Sequence, residues 1–285
     1  MASDIVMTSD STTDLSPELR ERYNISVAPL GITLGDKVYT DGVDITPDDI
    51  YAHHAKTGEL PKTTATNVGD CLDFFKKFTD EGKTVIHFTI SSDMSSTYNN
   101  ACIAASELEN VYVIDTKNLS TGGGLLVVAA AEMLRDGLSA EEIVRKSTEL
   151  IPCVDASFVI DSLEYLYKGG RCSALAMFGA NLLKLKPCIQ VKNGKMDVSK
   201  KYRGKFEDVL KQYITEKAED YSDIVLDRVF ITHAGCDPEV AKNAAELAKK
   251  LAPFKEVFIT RAGCTVSSHC GANTLGILFI RKSPI

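Results

Sequence analysis

Residues 87–101 read HFTISSDMSSTYNNA. Six of these side chains carry a Ser or Thr hydroxyl (Thr89, Ser91, Ser92, Ser95, Ser96 and Thr97), and none is Lys or Arg. An apolar strand-like run leads into the cluster and a helix-like run leaves it. Neutral donors at such a junction satisfy an anionic group without a permanent ion pair. Three further polar loops share this character: residues 8–14 (TSDSTTD), 63–67 (TTATN) and 263–276 (GCTVSSHCGANTLG). The last combines the titratable His269 with glycines that let backbone approach a ligand closely. Ser, Thr and Asp are also the ordinary helix caps, so each loop alone reads as structural. Their coexistence points to a binding site.

A second feature is Tyr167-Lys168-Gly169-Gly170-Arg171-Cys172-Ser173. It is either a turn with a solvated Arg or an Arg held at a pocket mouth, where its planar fork suits carboxylate or phosphate. Residues 200–205 (KKYRGK) place four positive charges on a chain of net charge -7. They form a solvated face or a docking patch for an acidic or phosphate-bearing partner. Ser92 or Ser96 with His269 also makes a nucleophile and a base, so a serine hydrolase acting on acyl esters is the alternative function. No GxSxG elbow accompanies that pair. No GxxxxGK[ST] loop is present for a nucleotide, and Gly122-Gly123-Gly124 lacks the Lys and hydroxyl of a phosphate cradle. Cys264, His269 and Cys270 lack a second ligand pair at zinc-like spacing, so no metal is expected.

The surrounding elements alternate in period. Residues 4–8 read as a strand, Ser16-Pro17-Glu18 opens a helix, and residues 25–34 read as one strand. Thr46-Pro47-Asp48-Asp49 caps another helix. Residues 68–79 and 95–108 read as helices and 85–90 and 111–115 as strands. Residues 122–134 are almost wholly apolar, which predicts a buried helix. Beyond residue 157 the texture changes. A helix is predicted over 173–183, and Asn193-Gly194 marks a hairpin between residues 188–191 and 196–198. Helices follow over 206–220 and 237–251, with strands over 228–232, 256–260 and 275–281. We therefore expect two α/β domains with the ligand between them. Residues 1–156 form three layers around a mainly parallel sheet, and residues 157–285 form a smaller domain with a mixed sheet.

The bulk numbers fit this. With 285 residues, 44% hydrophobic and 25% charged, the chain reads as a soluble globular protein. Its acidic balance argues against nucleic-acid or anionic-membrane binding. No run of eighteen apolar residues is present, so stable membrane insertion is not expected. Residues 1–10 show no secretory signal, and eight scattered Cys without a CxxC pair suggest reduced thiols, hence a cytoplasmic protein.

Read in order, Thr8-Ser9-Asp10-Ser11-Thr12, Thr63-Thr64-Ala65-Thr66, Ile90-Ser91-Ser92 with Ser96-Thr97-Tyr98, Val113-Ile114-Asp115-Thr116, Gly169-Gly170-Arg171 and Ser268-His269-Cys270-Gly271 resemble the DegV family across essentially the whole chain. The resemblance implies a bacterial protein that binds one long-chain fatty acid between two α/β domains, with no other cofactor. It further implies a non-catalytic subunit of fatty acid kinase, which presents the carboxylate to a separate kinase subunit. The acyl phosphate then enters phospholipid synthesis. By resemblance, Thr64, Ser92, Ser96, His269 and Arg171 hold the carboxylate, and Arg171 and Arg203 face the kinase. Two departures stand out. Residues 63–66 read Thr-Thr-Ala-Thr where relatives often read Thr-Ser-Gln-Pro, and Cys172 and Cys270 replace residues that are often Ile and Thr.

Overall fold

Pro29 divides what the sequence presents as one long strand. It has no N–H for a ladder, so the chain leaves one sheet and enters another. In this computed structural model, which describes residues 4–173 and 185–285, β2 (Ile25–Ala28) ends just before it and β3 (Gly31–Leu34) begins just after. The first sheet runs β2-β1-β6-β7, with β1 Ile5–Asp10, β6 Thr84–Thr89 and β7 Val111–Asp115, and all its pairings are parallel. A small antiparallel sheet has the order β4-β3-β5, with β4 Lys37–Thr40 and β5 Lys62–Thr64. The second large sheet runs β10-β9-β8-β13-β11-β12. Its strands are β8 Val154–Ile160, β9 Lys186–Lys192, β10 Lys195–Tyr202, β11 Arg228–Ala234, β12 Glu256–Arg261 and β13 Thr274–Ile280. Only β11 and β12 pair in parallel, so this sheet is mixed. The expected boundary between residues 156 and 157 falls inside β8, all seven residues of which pair with β13.

The helices sort into layers around the sheets. Helices α1 (Pro17–Arg22), α3 (Val68–Thr79), α4 (Thr97–Ala105) and α6 (Ala140–Leu150) flank the parallel sheet. Helices α8 (Phe206–Ala218) and α9 (Pro238–Leu251) cover the outer face of the mixed sheet. Between the two sheets runs α5 (Thr121–Arg135), which touches β1 and β6 on one side and β8 and β13 on the other. Its apolar content is therefore buried all round. Its glycines serve approach rather than phosphate: a Cβ at Gly124 would lie 2.8 Å from the Thr13 carbonyl. On β8, Ala156, Phe158 and Ile160 join the core around α5 while Val159 faces α8 and α9, the alternation a strand imposes.

Three short elements complete the description: α2 (Pro47–Thr57), α7 (Glu164–Gly169) and α10 (Cys264–Cys270). The segments read as polar loops at 63–67 and 263–276 thus contain β5 and α10. Helices α6 and α7 were not anticipated. The helix expected at 173–183 lies largely outside the described residues. No helix among the described residues is long and apolar enough to cross a membrane.

Candidate functional site

The parallel sheet presents its strand ends on one side, where loops after β1 and β6 face α10. A cavity of about 440 Å³ opens there. Among the described residues its polar lining comes from Thr63 and Thr64 on β5, Ser95, Ser96 and Asn100 at the start of α4, Thr265 and His269 on α10, and Arg171 after α7. Its apolar lining comes from Leu30, Ile90, Met94, Leu119, Met196 and Val266. A second cavity of about 30 Å³ shares Leu119, Val266 and Cys270 as a wall and continues against Phe158 and Leu278.

Four of the six residues singled out from the sequence meet at the large cavity: Thr64, Ser96, His269 and Arg171. Ser96 is the N-cap of α4, and its hydroxyl makes no capping bond. Neighbouring Ser95 accepts the Thr97 N–H instead, at 3.2 Å. Arg171 follows Gly170, whose φ of 69° turns the chain sharply, and its guanidinium donates to the Gly169 carbonyl at 2.8 Å. The Gly-Gly-Arg segment thus folds the cation back to the cavity rim.

Ser92 lies apart from the described cavity lining. Its Oγ accepts a 2.8 Å hydrogen bond from Lys117 Nζ, and its N–H donates to Asp115. Lys117 also pairs with Asp93 and Asp115, so Ser92 belongs to a charged cluster outside the cavity lining. Arg203 is also apart. It follows the far end of β10, about 20 Å of strand from the cavity residue Met196, and its side chain is exposed.

The family resemblance assigns the hydroxyl role in this loop to Thr64. Adjacent strand residues point to opposite faces, and it is Thr63 Oγ1 that stands 2.9 Å from His269 Nε2. Burial first, then the positive charge of Arg171, pushes the His269 pKa down to about 4. The ring is therefore neutral at pH 7. Its Nδ1 is buried without a partner among the described residues. A neutral ring that donates from Nε2 leaves the Thr63 hydroxyl free to donate onward. Ser92 and His269 are each engaged elsewhere, so the geometry does not form the nucleophile and base that a Ser92 hydrolase needs. Cys264 donates to the Ile45 carbonyl while His269 turns to Thr63.

Of the residues that hold α10, Asp14 lies in the polar loop 8–14 already singled out, whereas Asp41 carries no such signal. Asp41 Oδ1 accepts from Cys264 N at 2.8 Å. Its Oδ2 accepts from Thr265 N at 3.1 Å and Thr265 Oγ1 at 2.6 Å. Asp14 accepts from Gly263 N at 2.7 Å and Ser120 Oγ at 2.5 Å. Asp10 accepts from Ile90 N at 2.7 Å and so fixes the start of the hydroxyl-rich loop. The sequence marks the loop 8–14 as polar but does not single out Asp10 and Asp14 within it.

Two α/β sheets sharing a central helix, with a hydroxyl-lined cavity at the ends of the parallel strands, define the class. Residues 4–282 match the DegV family, described as uncharacterised protein, and the chain belongs to that family. A DegV domain-containing protein of Caldanaerobacter subterraneus subsp. tengcongensis is 32% identical, with 98% of this chain and 99% of its own covered. Among solved structures, a DegV family protein from Thermus thermophilus described by its fatty acid binding has a TM-score of 0.88 at 28% identity, covering 98% of this chain and 99% of that one. A stearic acid-binding protein from Eubacterium ventriosum has a TM-score of 0.85 at 29% identity, covering 99% of each chain.

Proposed function

We propose that this protein binds one long-chain fatty acid in the large cavity and presents its carboxylate to a separate kinase subunit for acyl-phosphate formation. The observation that carries the first half is the cavity itself: about 440 Å³, within the size range of small-molecule sites, combining hydroxyls and an imidazole with an apolar wall. In this reading the carboxylate lies among Thr63, Thr64, Ser95, Ser96 and His269, with Arg171 at the rim. The tail runs over Leu119 and Val266 toward the smaller cavity.

The chemistry favours this occupant. An unpaired carboxylate in an apolar site costs several kcal/mol or takes up a proton. Neutral donors satisfy it without the tight bidentate pairing that would sequester both oxygens, so one oxygen is left for a phosphoryl group. Each buried methylene contributes about 0.8 kcal/mol, so a chain of about sixteen carbons gains roughly 12 kcal/mol before the entropy of immobilisation is subtracted. Relatives of the same fold that are described as fatty-acid-binding support the reading. The kinase step rests on the family resemblance, with Arg171 and Arg203 as the docking cations, and in this reading the protein works in the cytoplasm.

Native mass spectrometry of the purified protein tests the binding half. A co-purifying mass of one fatty acid is expected, and a ligand-free protein that ignores added palmitate and oleate overturns it. Incubation with a fatty acid kinase subunit, ATP and Mg²⁺ tests the second half, because acyl hydroxamate should form on trapping with hydroxylamine.

A further inference from the structure

Helix α10 carries His269, yet its first turn is held by aspartate side chains from the other end of the chain. Asp41, which follows β4, accepts four bonds: from the N–H groups of Cys264 and Thr265, from Thr265 Oγ1, and from Ser11 Oγ at 2.9 Å. Asp14 accepts the N–H of Gly263 immediately before the helix. The fit is close, since a Cβ at Gly263 would stand 3.2 Å from Asp14 Oδ1 and 3.4 Å from Asp41 Oδ1. Both side chains are buried. Thr265 and His269 are four residues apart, hence one turn apart on the same helix face, and both line the cavity. A seven-residue helix is too short to bend, so displacement of Thr265 displaces His269 with it.

We propose that Asp41 and Asp14 are positioning residues of the site: by gripping the first turn of α10 they set the imidazole of His269 against Thr63 and the cavity. They touch no ligand and act only through the helix. The proposal rests on the fatty-acid reading for its binding arm alone. The helix links the small antiparallel sheet and the loop after β1 to β11, so the same two aspartates tie the parallel half to the mixed half directly behind the head of the cavity.

The test uses the full-length protein with ¹³C-labelled histidine and compares Asp41→Asn, Thr265→Val and a remote core variant, Phe75→Leu, on the buried face of α3. Asp41→Asn replaces an acceptor oxygen with a donor. Thr265→Val removes one bond to Asp41 at nearly constant volume. Both should move the His269 ring signal and its titration in the ligand-free protein, and both should weaken binding of a fluorescent fatty acid, Asp41→Asn by about tenfold or more. Phe75→Leu should lower the melting temperature and leave the His269 signal unmoved. Should Asp41→Asn fail to fold, Thr265→Val is read alone. An unchanged His269 signal in the variants that fold, or a shift no larger than that of Phe75→Leu at equal loss of melting temperature, overturns the proposal. Because the ring signal is read without ligand, failure of the wild-type protein to bind fatty acid would sink the functional reading and leave this test standing.

Discussion

Gly169 and His269 are packed so closely that a Cβ at residue 169 would stand 2.6 Å from the imidazole Nδ1. Gly169 ends α7, and its backbone is not in the left-handed region, so the need for glycine there is one of space. Gly169→Ala should therefore fold but push the ring off Thr63. Fatty-acid affinity should fall by about tenfold, or 1.4 kcal/mol. Fluorescent-ligand titration checks this, and wild-type affinity in Gly169→Ala would mean that the ring position is not critical.

Thr63 and Ser92 make opposite predictions. Thr63→Val removes the only hydroxyl bonded to His269 among the described residues and should cost about 1–3 kcal/mol in binding. Ser92→Ala removes a hydroxyl that Lys117 already occupies, so affinity should stay within about twofold of wild type. A larger loss in Ser92→Ala than in Thr63→Val, measured by the same titration, would return the carboxylate to the Ser92 side.

How far the sequence reaches depends on how local each contact is. Asn193-Gly194 specifies its own turn: Asn193 has φ 51° and Gly194 φ 83°, and the hairpin forms where the dipeptide demands it. The apolar run of α5 likewise announces a helix buried between layers. The hydroxyl-rich segment was legible as one wall of a site, because strand ends of parallel sheets are where ligands sit. Its internal division was not. Whether Ser92 or Ser96 faces the cavity depends on Lys117, and the partner of His269 lies 206 residues away at Thr63. The Asp41 to Thr265 bond spans 224 residues and leaves no local trace. The break at residue 29 was legible in hindsight from the proline alone.

Buried histidines and buried aspartates bias stability in opposite directions as pH changes. Burial pushes His87 down to about 3 and His269 down to about 4. The folded protein then holds both rings neutral while the unfolded chain takes up protons near pH 6.5. This stability is present above pH 6.5 and is lost as pH falls toward 4 and below, at up to about 1.4 kcal/mol per group per pH unit. Burial pushes Asp14 up to about 8 and Asp10 up to about 6. Their contribution is greatest below pH 3.8 and is lost as pH rises through 6 and 8. Between pH 4 and 6 the two effects offset, so urea melts from pH 4 to 9 should be nearly flat on the acid side and should show an alkaline limb as Asp14 ionises toward pH 8. Asp14→Asn, which keeps an acceptor for Gly263 N and tolerates the left-handed backbone there, should flatten the alkaline limb. An alkaline limb of unchanged slope in that variant would remove Asp14 as its cause.

Arg171 gives a prediction that separates its two proposed roles. Its charge helps to depress the His269 pKa, but burial is the larger cause. Arg171→Ala should let the ring titrate somewhat higher while still well below 6.5. The neutral ring therefore persists at pH 7, and fatty-acid binding should fall only a few-fold, since the guanidinium is exposed and bonded to the Gly169 carbonyl. Transfer of phosphate by a kinase subunit should fall much further if the cation also meets that partner or the developing acyl phosphate. NMR titration of His269, ligand binding and acyl-phosphate formation measured on one variant would decide. Equal losses of binding and transfer would confine Arg171 to the carboxylate, and transfer at the wild-type rate would dismiss it from docking.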